Sequence, residues 1–299
     1  MTRALRTVLE GGHFFEGPRW HDDAWWASDF YAHRVLRITD AGQAETVVEV
    51  DGQPSGLGWL PDGTLLVVSM KDHRLLRVES DGQLSVHAEL ETYCGGHLND
   101  LVVDERGRAY VGDFGFDLMA GGDPHPTSLL RVDPDGRVTV VAEDMLFPNG
   151  AVITPDGTSL IVGETLGCRY SAFHVEADGS LSGRRVWAAL APLPTLGTFA
   201  ETLPQVRVAP DGCCLDAEGM IWAADAMGAR AIRIREGGEI VEEIRAPHGL
   251  GIFACMLGGA DGRTLLLCSA PDFLEANRAP ATEALLLATE VDVPHAGRP

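Results

Sequence analysis

Several features are missing from this sequence, and each absence narrows what the chain can be. No run of 18 or more apolar residues occurs, so no segment reads as a membrane-spanning helix. None of the six cysteines, Cys94, Cys168, Cys213, Cys214, Cys255 and Cys268, forms a Cys-x-x-Cys pair, which removes zinc ribbons and thioredoxin-like motifs. They are too scattered in 299 residues for a disulfide scaffold, so buried free thiols are expected. Lys and Arg are scarce, 23 against 44 Asp and Glu, and the net charge of −21 excludes a nucleic-acid partner that would need basic clusters. The same charge favours solubility. Met1 to Glu10 carries two arginines but no apolar signal-peptide core, so a cytoplasmic location is expected. There is no Gly-x-Ser-x-Gly elbow for a serine nucleophile.

What is present is a repeat. A turn of Asp-Gly type sits between short apolar runs at Asp62-Gly63, Arg106-Gly107, Asp156-Gly157, Glu218-Gly219 and Asp261-Gly262, with a degenerate copy at Asp22-Asp23. The copies lie roughly 40 to 60 residues apart, the period of propeller blades. A third strand follows each copy, as in His33 to Ile38, His73 to Val78 and Ala229 to Ile234, and a fourth follows in five of the six. The last unit lacks its own fourth strand, and Leu5 to Glu10 has the composition to supply it. The sequence therefore predicts an all-β chain, a single six-bladed β-propeller domain over 1–299 with four strands per blade, closed by an N-terminal strand. Two connections exceed the repeat, Phe114 to Thr127 and Ala191 to Ala209, and loops of that length are usually functional.

The first strand of each blade lines the central channel. Counting eight residues back from each turn glycine, and aligning Trp20 with Trp59 for the first unit, gives a ring of Glu16, Ser55, Asn99, Asn149, Asp211 and Ala254. Carboxylates gathered at one depth on an axis need protons or a cation to be tolerated. Oxygen donors favour Ca²⁺, with Mg²⁺ or Mn²⁺ next. No His or Cys is in the ring, so zinc is disfavoured as the specific ion, although it can occupy such a set. Asp29, Asp113, Glu164 and Asp225, with Ser69 and Ser269, end the second strands on the same face. They read equally as acceptors for the ring amides or as turn formers.

Glu16-Gly-Pro-Arg-Trp20, Asn99-Asp100, Pro148-Asn149-Gly150 and Pro210-Asp211-Gly-Cys-Cys-Leu-Asp216-Ala-Glu-Gly219, followed by Ile221-Trp222, together resemble the senescence-marker-protein/gluconolactonase family, which includes regucalcin and bacterial sugar lactonases. The resemblance covers the whole chain, including the tail from Phe253 to Ala270. It implies a divalent ion on Glu16, Asn149 and Asp211, with Asn99 beside it touching ion or substrate, and Asp211 as the acid/base. The chain departs from the animal-type pattern at His97, where those members carry an arginine that grips sugar hydroxyls. The family's further acidic substrate contact matches Asp117 only loosely. A five-donor fork replaced by an imidazole weakens the case for a polyhydroxy substrate.

The expected chemistry is metal-assisted opening of a lactone, a sugar lactone or a related small one, by water at the channel mouth. Asp211 or Asp100 is the base, since a metal-bound carboxylate is a poor one, and His97 is available to protonate the leaving alkoxide or to orient substrate. Asn99, His97, Asp117 and Phe114 are the expected substrate contacts. Two alternatives stay open: a metal-dependent propeller enzyme acting on an ester, organophosphate or carbonyl compound, which apolar Phe114, Phe116, Leu118 and Met119 favour, and a non-catalytic calcium or ligand binder.

Overall fold

The computed structural model describes residues 3–297. Residues 1, 2, 298 and 299, which the single-domain expectation over 1–299 includes, lie outside the described residues. The strands form six antiparallel sheets of four, and in five of them spatial order follows chain order. Blade 1, for example, runs through Phe15–His21, Ala24–Asp29, Arg34–Ile38 and Ala44–Glu49. Blade 6 is composite. Gly251–Gly258, Thr264–Ala270 and Ala284–Glu290 are joined by Arg6–Gly12 from the other end of the chain, with Arg6 opposite Ala288. That strand completes the last blade from the opposite end of the chain and so closes the six-bladed propeller. Among the described residues no helix is long and apolar enough to cross a membrane.

The turn residues behave as their chemistry requires. Gly63, Gly107, Gly157, Gly219 and Gly262 all take positive φ, between 70° and 86°. In the degenerate copy Asp22 and Asp23 both take positive φ, and His21 pairs with Ala24, which makes a two-residue hairpin of the twisted kind that asparagine and aspartate tolerate. All six cysteines are free; five are buried and Cys94 is half-buried.

Blades meet through their first strands: Phe15–His21, Pro54–Trp59, Leu98–Val103, Pro148–Ile153, Pro210–Leu215 and Gly251–Gly258. Their approach is close. A Cβ on Gly150 would lie 2.5 Å from the Asp211 carbonyl oxygen, and one on Gly212 would lie 2.5 Å from the Ala254 Cβ. Glycine therefore follows the ring position in blades 1, 2, 4 and 5 because the neighbouring strand leaves no room for a side chain. The two long connections cover one mouth of the channel. They are tied together where the Phe199 N–H donates to Asp123 Oδ1 at 3.0 Å.

Candidate metal centre and cavity

Pairing between first and second strands slips at the ring position in every blade. The break lies between Leu98 and Leu101, Pro148 and Ala151, and Pro210 and Cys213, with equivalents in the other three. In blades 2 to 5 such a bulge frees the ring residue from the ladder and re-aims its side chain, whereas Glu16 stays paired with Ser28 and the slip follows it. Glu16, Asn99, Asn149 and Asp211 line one cavity of about 100 Å³ at the covered mouth. Ser55 is buried and is not part of this lining.

Ala254 requires a correction. The sixth residue at this level is Phe253, which lines the cavity, while Ala254 packs against Gly212 at the position glycine fills elsewhere. The first strand of blade 6 is one residue longer before its turn, with Gly262 N–H bonding Gly259 O where Gly63 N–H bonds Leu60 O. A count of eight therefore falls one residue short.

Each floor residue has distinct support. Asn149 Nδ2 donates to Thr165 Oγ1 at 3.0 Å, and Thr165 Oγ1 donates to the Pro210 carbonyl at 2.7 Å, which couples Asn149 to the residue before Asp211. Gly17 N–H donates to Glu16 Oε2 at 3.0 Å. Asn99 Nδ2 is buried and has no partner among the described residues. Among the described residues no lysine, arginine or histidine lines the cavity. Burial, the Asp211 charge and the Asp100 charge push the Glu16 carboxyl well above its ordinary range, against the pull of Gly17 N–H and Arg19. Burial likewise raises Asp211 to about 7, with Asp100 adding to it and bonds from Asn149 and Gly212 N–H opposing. Among the described residues no three His, Cys, Asp or Glu side chains gather at metal spacing. The donor set is instead two carboxylates and two amides, oxygen donors of the kind hard divalent cations take.

Asp100, Asp117 and His97 lie outside the lining. Asp100 is buried beside the floor, its Oδ1 accepting from Arg19 Nη2 at 2.6 Å and from Leu101 N–H at 2.8 Å. Asp117 is exposed, and its carboxylate accepts the Ala120 N–H. His97 is half-buried behind Phe114, ring centroids 5.9 Å apart, and Phe114 does line the cavity. Burial, with help from Lys71 and His73, lowers the proton affinity of His97. The acids ending the second strands do not bond the ring amides. They hold the chain just before the ring: Asp29 accepts from His13 and Phe14 N–H, Glu164 from Leu146 N–H and Asp225 from Ala209 N–H.

The walls were not visible in the repeat. Phe14, Phe30, Phe147, Phe253 and Phe273 come from the ends of blade strands or the turns beside them. Leu118 and Met119 come from one long connection, and Phe199, Leu203 and Val206 from the other. The loop residues carried a signal only in their length and apolar content, and Thr165 carried none.

Residues 14–271 match the SMP-30/Gluconolactonase/LRE-like region. A 6-deoxy-6-sulfogluconolactonase of Pseudomonas putida is 25% identical over 279 residues, 92% of this chain and 89% of that protein. A pentonolactonase of Haloferax volcanii is 30% identical over 229 residues, 75% of this chain and 69% of its own. The crystal structure of a calcium-binding regucalcin from Agrobacterium tumefaciens matches with a TM-score of 0.79 at 23% identity, over 100% of this chain and 97% of that one, a likeness of fold. With a profile match over most of its length, the chain belongs to the SMP-30/gluconolactonase/LRE-like family.

Proposed function

We propose that the protein is a divalent-metal-dependent hydrolase that opens a small lactone at the covered mouth of its channel. The observation that carries this reading is the cavity floor: Glu16 and Asp211 face Asn99 and Asn149 with no cationic side chain among the described lining residues. The relatives named as lactonases support the reaction class. Glu16, Asn149, Asp211 and Asn99 are the residues that would hold the ion, and their oxygens favour Ca²⁺ over Mg²⁺, Mn²⁺ or Zn²⁺. When bound, a divalent cation supplies positive charge that polarises a lactone carbonyl and offsets charge developing on its oxygen.

The chain's own residues do the rest. The unpaired Asn99 Nδ2 is placed to donate to the carbonyl oxygen as it gains charge. Asp211, through a carboxylate oxygen not given to the ion, is the better placed proton acceptor for the attacking water, because it opens onto the cavity while Arg19 and Leu101 N–H engage Asp100 Oδ1; binding the ion weakens it as a base but leaves it the placed one. As water oxygen bonds to the carbonyl carbon, its proton passes to Asp211. When the ring C–O bond breaks, that proton returns to the alkoxide, leaving a hydroxy acid. His97 acts through Phe114, which it backs, and fixes one wall of the site.

Proton release measured over a lactone panel, before and after chelation, tests the proposal. Turnover that is lost on chelation and restored by Ca²⁺ is expected. A protein that hydrolyses no lactone in either state is not a lactonase, one that hydrolyses neither lactone nor ester is better read as a binder, and one that works equally well after chelation is not metal-dependent.

A further inference from the structure

Of the 21 described residues lining the cavity, fifteen are apolar. The six polar ones are the four floor residues, Thr165 and Tyr31. Thr165 is committed, accepting from Asn149 and donating to Pro210 O. Tyr31 is committed as well, its hydroxyl donating to the Phe273 carbonyl at 2.6 Å. Above the floor, then, no side chain of the described wall residues offers a free donor to a substrate hydroxyl. The walls are aromatic and packed: Phe14 and Phe253 lie 4.9 Å apart between centroids, Phe114 and Phe147 4.6 Å apart.

A sugar lactone brings several hydroxyls into a site, and each must find a partner or lose its water without recompense. Here only the floor can serve them, and the floor is needed for the reacting ester group. An alkyl or aryl substituent on the lactone ring has the opposite balance, since it loses nothing on leaving water and gains contact with the phenylalanine rings. We propose that the site selects a lactone carrying an apolar ring substituent and discriminates against polyhydroxylated lactones, unlike the relatives named as sulfogluconolactonase and pentonolactonase. The reaction rests on the lactonase reading, whereas the binding preference rests on the walls alone. The two long loops set it, because Leu118, Met119, Phe199, Leu203 and Val206 form the part of the wall furthest from the repeat.

The test uses three six-membered lactones, δ-decalactone, δ-valerolactone and glucono-δ-lactone, with the calcium-supplemented protein and spontaneous hydrolysis subtracted. The expected kcat/KM falls by about tenfold or more from decalactone to valerolactone, and by at least about 100-fold from decalactone to gluconolactone. Calorimetry with the ring-opened products runs alongside, and 5-hydroxydecanoate is expected to bind at least about 100-fold more tightly than gluconate. Phe199→Ala and Leu203→Asn should each narrow the decalactone preference by about tenfold. Gluconolactone hydrolysed as well as decalactone, or gluconate bound as tightly as hydroxydecanoate, overturns the substrate class and leaves the lactonase reading standing. If no lactone is hydrolysed, the lactonase reading fails, and the order of product binding alone upholds or overturns the apolar preference.

Discussion

Four blades and two blades of this propeller are built differently at the same place. Blades 1, 3, 4 and 5 end their second strands in Asp29, Asp113, Glu164 and Asp225, all fully buried, and these four blades put Glu16, Asn99, Asn149 and Asp211 into the cavity. Blades 2 and 6 carry Ser69 and Ser269 there, and contribute respectively no lining residue at the ring position and the apolar Phe253. The acids grip backbone N–H groups two to four residues ahead of the ring: Phe14, Gly95, Leu146 and Ala209. Ser269 Oγ instead donates to Gly251 O, and among the described residues Ser69 Oγ has no partner. A buried carboxylate costs desolvation, so its presence only where a polar side chain must be aimed ties it to positioning. Where the ring residue need only fill space, a serine suffices.

The largest expected contrast lies in the ring itself. Asp211→Ala should lower Ca²⁺ affinity, read by calorimetry, by more than about 100-fold and take lactone turnover with it, since even partners one step removed from an ion cost up to that much. Ser55→Ala should change affinity by less than about twofold. Equal losses would mean that the four-blade set does not hold the ion. One step back, Asp225→Asn breaks the Arg230 pair at 2.9 Å and leaves only a neutral, weaker acceptor for the Ala209 N–H, so a loss of about 10- to 100-fold in Ca²⁺ affinity is expected. Ser269→Ala should leave Ca²⁺ affinity in place. If Asp225→Asn lowers the melting temperature but not the affinity, the acids stabilise the fold without positioning the ring.

How much of this could be read from the sequence follows from the same division. The blades and three of the four floor residues recur at a fixed offset from a turn glycine, Glu16 follows from aligning Trp20 with Trp59, and the closing strand from the fourth strand that the last unit lacks; recurrence is what a single sequence exposes. Phe253 escaped because its strand is one residue longer, which no composition reveals. The acids were visible, but their role was not: an acceptor for a side-chain amide and an acceptor for a backbone N–H look alike in sequence. The walls were hidden for another reason. Phe199, Leu203 and Met119 belong to connections that break the repeat, so nothing in the pattern indicates that two loops some 80 residues apart, Asp123 and Phe199 among them, meet over one cavity.

The smallest expected effect separates two of the acids from each other. Glu164 faces two cations, Arg169 at 2.9 Å and Arg184 at 3.2 Å, and also accepts from Ser171. Burial alone would raise its proton affinity, but the Arg169 bond and charge and the Ser171 and Leu146 bonds outweigh it, so its carboxyl lies below the ordinary 4.5. Asp113 has no arginine, because a long loop precedes its third strand, and it relies on Thr127 and on the N–H groups of Gly115 and Gly95. There burial wins, and the carboxyl lies above the ordinary 3.8. A depressed carboxyl stabilises the fold above its unfolded value and loses that contribution as pH falls through the folded one. A raised carboxyl does the reverse: its contribution is complete below the unfolded value and is lost as pH rises through the folded one. Glu164→Gln should therefore cost about 2 kcal/mol near pH 7, where it strands two part-buried arginines, and less near pH 4. Asp113→Asn should cost about 1 kcal/mol or less near pH 7 and more near pH 4. Denaturant unfolding of both variants at the two pH values reads the slopes directly. Parallel slopes would mean that the two carboxylates sit in equivalent surroundings and that the arginines do not set their difference.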